Sequence, residues 1–174
     1  MTGPRILTPA LGAPAGYGFE MEALARLGAE IVEHAPTEEA FLTEAAGADA
    51  IYPKGMKLTA RMIEAAPRAK VIACATVGVD YVDVAAATAR GIPVTNCPDT
   101  FIEEVADHAM MLLLAAHRRC IEQDRCVREG RWAQGRPQLN KVPRLMGSTL
   151  GFVAFGRVAR LVAKRAAAFG LRML

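Results

Sequence analysis

The chain has 174 residues, 52% of them apolar, with a net charge of +3 and a mean hydropathy of +0.19. That balance excludes a disordered or collagen-like chain and supplies enough apolar mass for a buried core, in one good-sized domain or one small domain plus part of another. Lysine and arginine are dispersed without a run of like charge, which speaks against a nucleic-acid or membrane-surface partner.

Taken in chain order, short β-rich runs alternate with helical patterns. RILTPA (5–10) reads as a strand and FEMEALARLG (19–28) as a helix closed by Gly28, a residue suited to a helix C-terminus. A strand EIVEHA (30–35), a helix TEEAFLTEAAG (37–47) and a strand AIYPK (50–54) follow. Thr37 is placed to cap its helix, with Glu38 and Glu39 facing the positive end of the macrodipole. LTARMIEAAP (58–67) reads as a helix stopped by Pro67, KVIACAT (70–76) as a buried strand, VDVAAATARG (82–91) as a helix ended by Gly91, and IPVTNC (92–97) as a fifth strand. Strands separated by helices of this length specify a parallel, doubly wound α/β sheet. Ligands on such sheets sit at the carboxyl ends of the strands. The segments PALGAPAGYG, PKGMK, TVGVDYVD and NCPDTF are therefore the ones to watch.

Past Pro98 the pattern changes. Residues 99–130 predict one long helix or two abutting ones, with an Asp or Thr cap ahead of Glu103 and Glu104. The middle is apolar on all sides, which predicts burial between domains or subunits. Residues 131–148, rich in Gly, Pro and Arg, read as loop. A strand (149–155), a helix (157–170) and a final LRML follow. The most apolar run, AMMLLLAA (109–116), is far short of the roughly 20 residues that span a bilayer. MTGPRILTP lacks the basic and apolar regions of a secretory signal, so the expected location is cytoplasmic. Cys74, Cys97, Cys120 and Cys126 show no CxxC spacing and no adjacent histidine pair, and read as reduced thiols with no metal site.

GFVAFGRVA (151–159) has the form of a strand turning tightly into a helix, the grammar of a phosphate-cradling loop short of two glycines. In such a turn the first glycine permits the bend, the second lets the pyrophosphate approach the backbone, and the third lets helix and strand pack. A bare residue at 156 leaves room for an anion against the amides of Arg157 and Val158 at the helix start. A strand–turn–helix without a ligand is the competing reading.

TVGVDYVDVAAATARGIPVTNCPDTFIEEVADHAMMLLLAAHRR, REGRW and GSTLGFVAFGRVARLVAKRAAAFGLRML resemble, collinearly from about Leu58 to Leu174, the D-isomer-specific 2-hydroxyacid dehydrogenases. That family includes phosphoglycerate, glyoxylate and formate dehydrogenases and the C-terminal binding protein corepressors, and PDTFIEEVADHAMMLLLAAHRR is most similar to bacterial relatives of the corepressor branch. Residues 1–57 fit the family's substrate domain in rhythm only. The resemblance implies a flavodoxin-like doubly wound sheet as substrate domain over 1–98. Over 99–174 it implies a long linking helix and the first βα unit of a Rossmann NAD(P)-binding domain.

Aligned on the family, the three glycine positions are Ala154, Gly156 and Ala159, so Ala154 is the departure: in a left-handed conformation its methyl costs roughly 1–2 kcal/mol. The resemblance makes Ala154, Gly156, Arg157 and Val158 cofactor-binding, with Val105 against the nicotinamide. It makes the backbone amides of Val77 and Gly78 carboxylate-binding, where glycine leaves the chain unobstructed. Lys54 could add charge to the same carboxylate; a solvated loop lysine is the equal alternative. Asp80 and Asp83 read as turn and cap residues, His108 as a buried structural histidine, His34 and His117 as unpartnered, and Trp132 as a packing or subunit-contact residue.

The implied activity is hydride transfer between NAD or NADP and a small D-2-hydroxy or 2-oxo acid, in a homodimeric full-length parent. The acidic residue that selects NAD, and the family's catalytic Arg, Glu and His, would lie beyond Leu174. The chain is therefore expected to be a fragment or degenerate remnant, inactive alone. A non-catalytic, dinucleotide-binding corepressor-like protein and a small carboxylate-binding domain stand as the other readings.

Overall fold

The computed structural model describes residues 3–10 and 17–174; the part of PALGAPAGYG at 11–16 lies outside the described residues. Two compact units divide the chain, Met1–Thr100 and Phe101–Leu174.

The first unit holds β1 (Arg5–Pro9), α1 (Gly18–Leu24), β2 (Glu30–His34), α2 (Glu38–Glu44), β3 (Ala50–Ile51), α3 (Ala60–Glu64), β4 (Ile72–Ala73), α4 (Val84–Ala89) and β5 (Val94–Thr95). All five strands are parallel, in the order β2-β1-β3-β4-β5, so the chain starts near one edge and winds outward on both sides of β1. Regular pairing is short in β4 and β5. Even so, Cys74 N–H donates to Thr95 O (2.8 Å) and Cys97 N–H to Thr76 O (3.0 Å), which carries the ladder to the ends read from sequence.

The caps behave as side-chain chemistry dictates. Thr37 Oγ1 accepts from Ala40 N–H (3.2 Å), Asp83 Oδ1 accepts from Ala86 N–H (2.9 Å), and Gly28 and Gly91 end their helices at positive φ. Arg90 Nη1 donates to the carbonyls of Ile63 and Ala66, closing the open end of α3. One sheet face packs Leu7, Ile51 and Ile72 against Phe41, Met62 and Ile63 of α2 and α3, all essentially fully buried. Truncating any one would cost about 2–5 kcal/mol. The opposite face, beside α1, carries an apolar groove of about 740 Å³ bounded by Ile6, Phe19, Leu27, Ile31 and Val71.

The second unit comprises α5 (Ile102–His117), α6 (Cys120–Arg128), α7 (Trp132–Leu139), β6 (Thr149–Leu150), α8 (Arg157–Ala168) and β7 (Arg172–Met173), with β6 and β7 parallel. Three sequence expectations change here. Residues 131–148 are not all loop, because Trp132–Leu139 is helical with Pro137 inside, and Gly135 fits closely against Cys126 of α6. The expected Asp or Thr cap of α5 is replaced by Phe101, which makes no side-chain cap bond. The apolar middle of α5 is buried on one side only. Ala106 and Met110 pack with Val162 and Ala166 of α8, while Met111 and Leu112 stay half-exposed. Alanines at that contact let the helix backbones approach, and Arg165 ties them with bonds to Glu103 (2.5 Å) and Asp107 (2.7 Å).

No helix among the described residues is long and apolar enough to cross a membrane, and no cluster of His, Cys, Asp or Glu there could hold a metal ion.

Candidate functional site

Three turns hold most of the sequence-predicted site residues, two in the first unit and one in the second, while Val105 lies on α5. In the first unit, the chain leaves β4 through Thr76, Val77 and Gly78. Thr76 Oγ1 donates to Gly78 O (2.7 Å), so its other contact, to the Tyr81 hydroxyl (2.7 Å), must be one in which Tyr81 donates. Burial, and next the neighbouring Cys74 thiol, push the Tyr81 phenol above its ordinary pKa, which keeps that proton in place. Asn96 Nδ2 donates to Val77 O (2.7 Å). Both carbonyls are thus tied back, and among the described residues neither Val77 nor Gly78 N–H has an acceptor. A Cβ on Gly78 would stand 2.9 Å from Asp80 Oδ2, so the turn is closed to a larger residue unless Asp80 swings out.

Lys54 lies at the same, carboxyl end of the neighbouring strand β3. The turn runs through Lys54 (φ 47°) and Gly55 (φ 85°) and closes with Met56 N–H donating to Pro53 O (2.8 Å). A lysine in this left-handed position carries roughly 1–2 kcal/mol of strain. Its ammonium is not a solvated loop charge: it donates to Glu20 Oε1 (2.8 Å) and stands 5.0 and 5.5 Å from the ring centres of Tyr52 and Tyr17. Tyr52 Oη donates to the same Glu20 oxygen (3.1 Å), and Tyr17, itself buried, shares a hydrogen bond with Thr8 (2.8 Å). The Lys54 bond, ahead of an opposing effect of burial, holds the Glu20 carboxyl below the usual range. Burial also opposes the charge on Lys54, yet its bonds to Glu20 and Tyr52 outweigh this and raise its pKa.

In the second unit, β6 leads into the glycine-poor turn. Ala154 sits at φ 72°, so the condition under which its methyl is costly is met. Gly156, the N-cap of α8, has φ −79° and ψ −163°, an extended conformation open to any residue, and a Cβ there would meet nothing within 4 Å. Neither backbone strain nor protein packing accounts for glycine at 156. The first intrahelical bond runs from Arg160 N–H to Gly156 O (3.1 Å), and Gly156, which has no side chain, offers no cap of its own. No acidic residue stands in the first turn, and the positive dipole end favours an anion there. Val158 packs into the α5–α8 cluster and anchors the turn, whereas Val105 on α5 is half-exposed.

Residues 19–170 match the family model of the D-isomer specific 2-hydroxyacid dehydrogenase catalytic domain. The chain belongs to that family. A glyoxylate reductase of Korarchaeum cryptofilum is 46% identical over 118 residues, covering 67% of this chain and 36% of that protein. Among solved structures, a 2-hydroxyacid dehydrogenase of Ketogulonicigenium vulgare is 31% identical with a TM-score of 0.80, covering 99% of this chain and 54% of the other. An NAD-dependent formate dehydrogenase of Staphylococcus aureus, in complex with NAD, is 29% identical with a TM-score of 0.76, covering 97% and 55%. The chain therefore spans about a third to a half of the length of these relatives.

The dehydrogenase family resemblance pointed to Lys54, Val77 and Gly78, which the structure places along one strand-end edge. It gave no sign of Glu20, which looks like any exposed helix residue; Tyr17 fell within a watched segment and Tyr52 just ahead of one, but neither drew a role. The histidines differ from expectation. His108 is exposed, because it faces away from α8. His34 is buried with Nδ1 donating to Ala35 O (2.6 Å), and Nε2 has no hydrogen-bond partner among the described residues. His117 donates from Nε2 to Pro143 O (2.9 Å). Trp132 opens α7 and is half-exposed.

Proposed function

We propose that this chain supplies the substrate-carboxylate loop and the first part of the coenzyme site of an oxidoreductase that moves a hydride between NAD or NADP and a D-2-hydroxy or 2-oxo acid. The observation that carries the reading is Gly156. It is a glycine that neither conformation nor packing requires, at the positive end of α8, whose first turn holds no acidic residue. A diphosphate fits that cradle: it would occupy the space a Cβ would take and accept from the helix-start amides at Arg157 and Val158. The coenzyme, when bound, supplies or accepts the hydride. Val105 offers an apolar surface to a flat ring, and Ala154 holds the left-handed bend ahead of the cradle at a cost in stability.

On the substrate side, the N–H groups of Val77 and Gly78 hold the carboxylate, kept outward because Thr76 and Asn96 occupy the carbonyls. Lys54 adds its charge at that edge. The roles proposed for this chain's residues are binding and orientation, not proton transfer. Half-exposed Met111, Leu112, Val127 and Trp132 support a homodimeric parent. The test is titration of the chain with NADH and NADPH, followed by fluorescence. Micromolar to millimolar binding that is lost in Gly156→Val supports the reading; binding unaffected by that substitution, or none at all, rejects it.

A further inference from the structure

Lys54 combines three features that an ordinary loop lysine lacks. Its backbone is strained, its side chain is only 23% exposed, and its charge is matched by a carboxylate that is itself only 22% exposed. A backbone outlier held by its surroundings is a pointer to function. The surroundings here are Glu20, whose Oε1 takes bonds from both Lys54 Nζ and Tyr52 Oη, and the two tyrosine rings. The strands place this cluster beside the 76–78 loop: β3 and β4 are adjacent, with Ile51 opposite Ile72, so Lys54 and Gly78 both follow the carboxyl ends.

The electrostatic consequence concerns the ligand's far end. The Val77 and Gly78 amides carry only partial charges, enough for one carboxylate. Lys54, the cation caged beside them, is already neutralised by Glu20. A second anionic group reaching the cage would meet the Glu20 carboxylate, and the Lys54 charge is already committed to that carboxylate. A neutral substituent would meet tyrosine rings and the lysine stem.

We propose that Glu20 is a specificity-determining residue that restricts this site to 2-oxo and 2-hydroxy acids with a single carboxylate, excluding those bearing a second carboxylate or a phosphate. The inference rests on the reading of residues 76–78 as the carboxylate loop. Glutamine at 20 keeps the size and the oxygen that accepts from Lys54 and Tyr52, but releases the lysine charge.

The experiment is calorimetric titration of the full chain with 2-oxovalerate and 2-oxoglutarate, which differ at the terminal group. The unaltered chain should favour 2-oxovalerate by about tenfold or more. Glu20→Gln should bring the two within about threefold or invert the order. Lys54→Met, which leaves Glu20 unpaired, should widen the preference and serves as the second arm should Glu20→Gln not fold. If 2-oxovalerate binds but the ratio moves in neither variant, the role of Glu20 is overturned while the carboxylate loop stands. If the unaltered chain binds neither acid, the loop reading fails, and this inference with it.

Discussion

The turns after β3 and after β6 each hold a non-glycine residue in the left-handed region, Lys54 at φ 47° and Ala154 at φ 72°, but they handle the strain differently. At Lys54 a long side chain reaches an acceptor and two aromatic faces, so the local cost of roughly 1–2 kcal/mol is offset by an ion pair and cation–π contacts of similar size. At Ala154 the side chain is one exposed methyl with nothing comparable to gain. The same backbone conformation is thus supported by tertiary contacts in one unit and left uncompensated in the other. Strain of this kind is a property of the residue's partners as much as of its φ angle.

Substitutions break or sharpen this contrast. The largest effect is expected next to Ala154: Gly156→Val should lower NADH affinity by about a hundredfold or more, roughly 2.7 kcal/mol. Its melting temperature should stay nearly unchanged, because a Cβ there meets no atom of the described residues within 4 Å. Lys54→Gly relieves the turn but removes the cage contacts and adds chain entropy to the unfolded state. A net loss of about 1 kcal/mol in urea unfolding is expected. Ala154→Gly has the opposite sign, since relief of roughly 1–2 kcal/mol outweighs an entropy cost of about 0.4–1 kcal/mol. It should gain several tenths of a kcal/mol in stability with NADH affinity nearly unchanged, because the relief is common to the free and the bound chain.

The smallest effect is in pH dependence. Glu20 has a depressed carboxyl pKa in the folded state, so its contribution is full above the ordinary carboxylate value and fades as pH falls through the folded one. Lys54 is shifted upward, so its contribution is full below the ordinary lysine value and fades as pH rises through the folded one. Glu20→Gln should therefore flatten the acid limb of a stability–pH profile. Ala154→Gly should leave that limb unchanged.

Much of the fold was legible because its signals are local. Thr37 and Asp83 cap their helices through their own side chains, Gly28 and Gly91 end theirs at positive φ, and alternation of strands with helices implies a parallel sheet. Helix α7 was missed because Gly135 and Pro137 argue locally for loop, whereas packing of Gly135 against Cys126 decides for helix. His108 was misplaced because an apolar run gives no hint which side of α5 will meet α8.

The candidate site divides along the same line. Gly156 and Gly78 stood out in the sequence, since small residues beside apolar runs mark places where backbone is approached closely. The partner of Lys54 did not, because Glu20 comes to it through the winding of β1, β2 and β3 rather than through any sequence spacing. By itself the sequence determined the alternation of elements, their caps and the glycine turns, all governed by interactions within a few residues. Only the tertiary structure decided which charges neutralise one another, which carbonyls of the 76–78 loop are tied back, and that Ala154 is strained. Those outcomes depend on groups that meet only once the sheet and its covering helices have assembled.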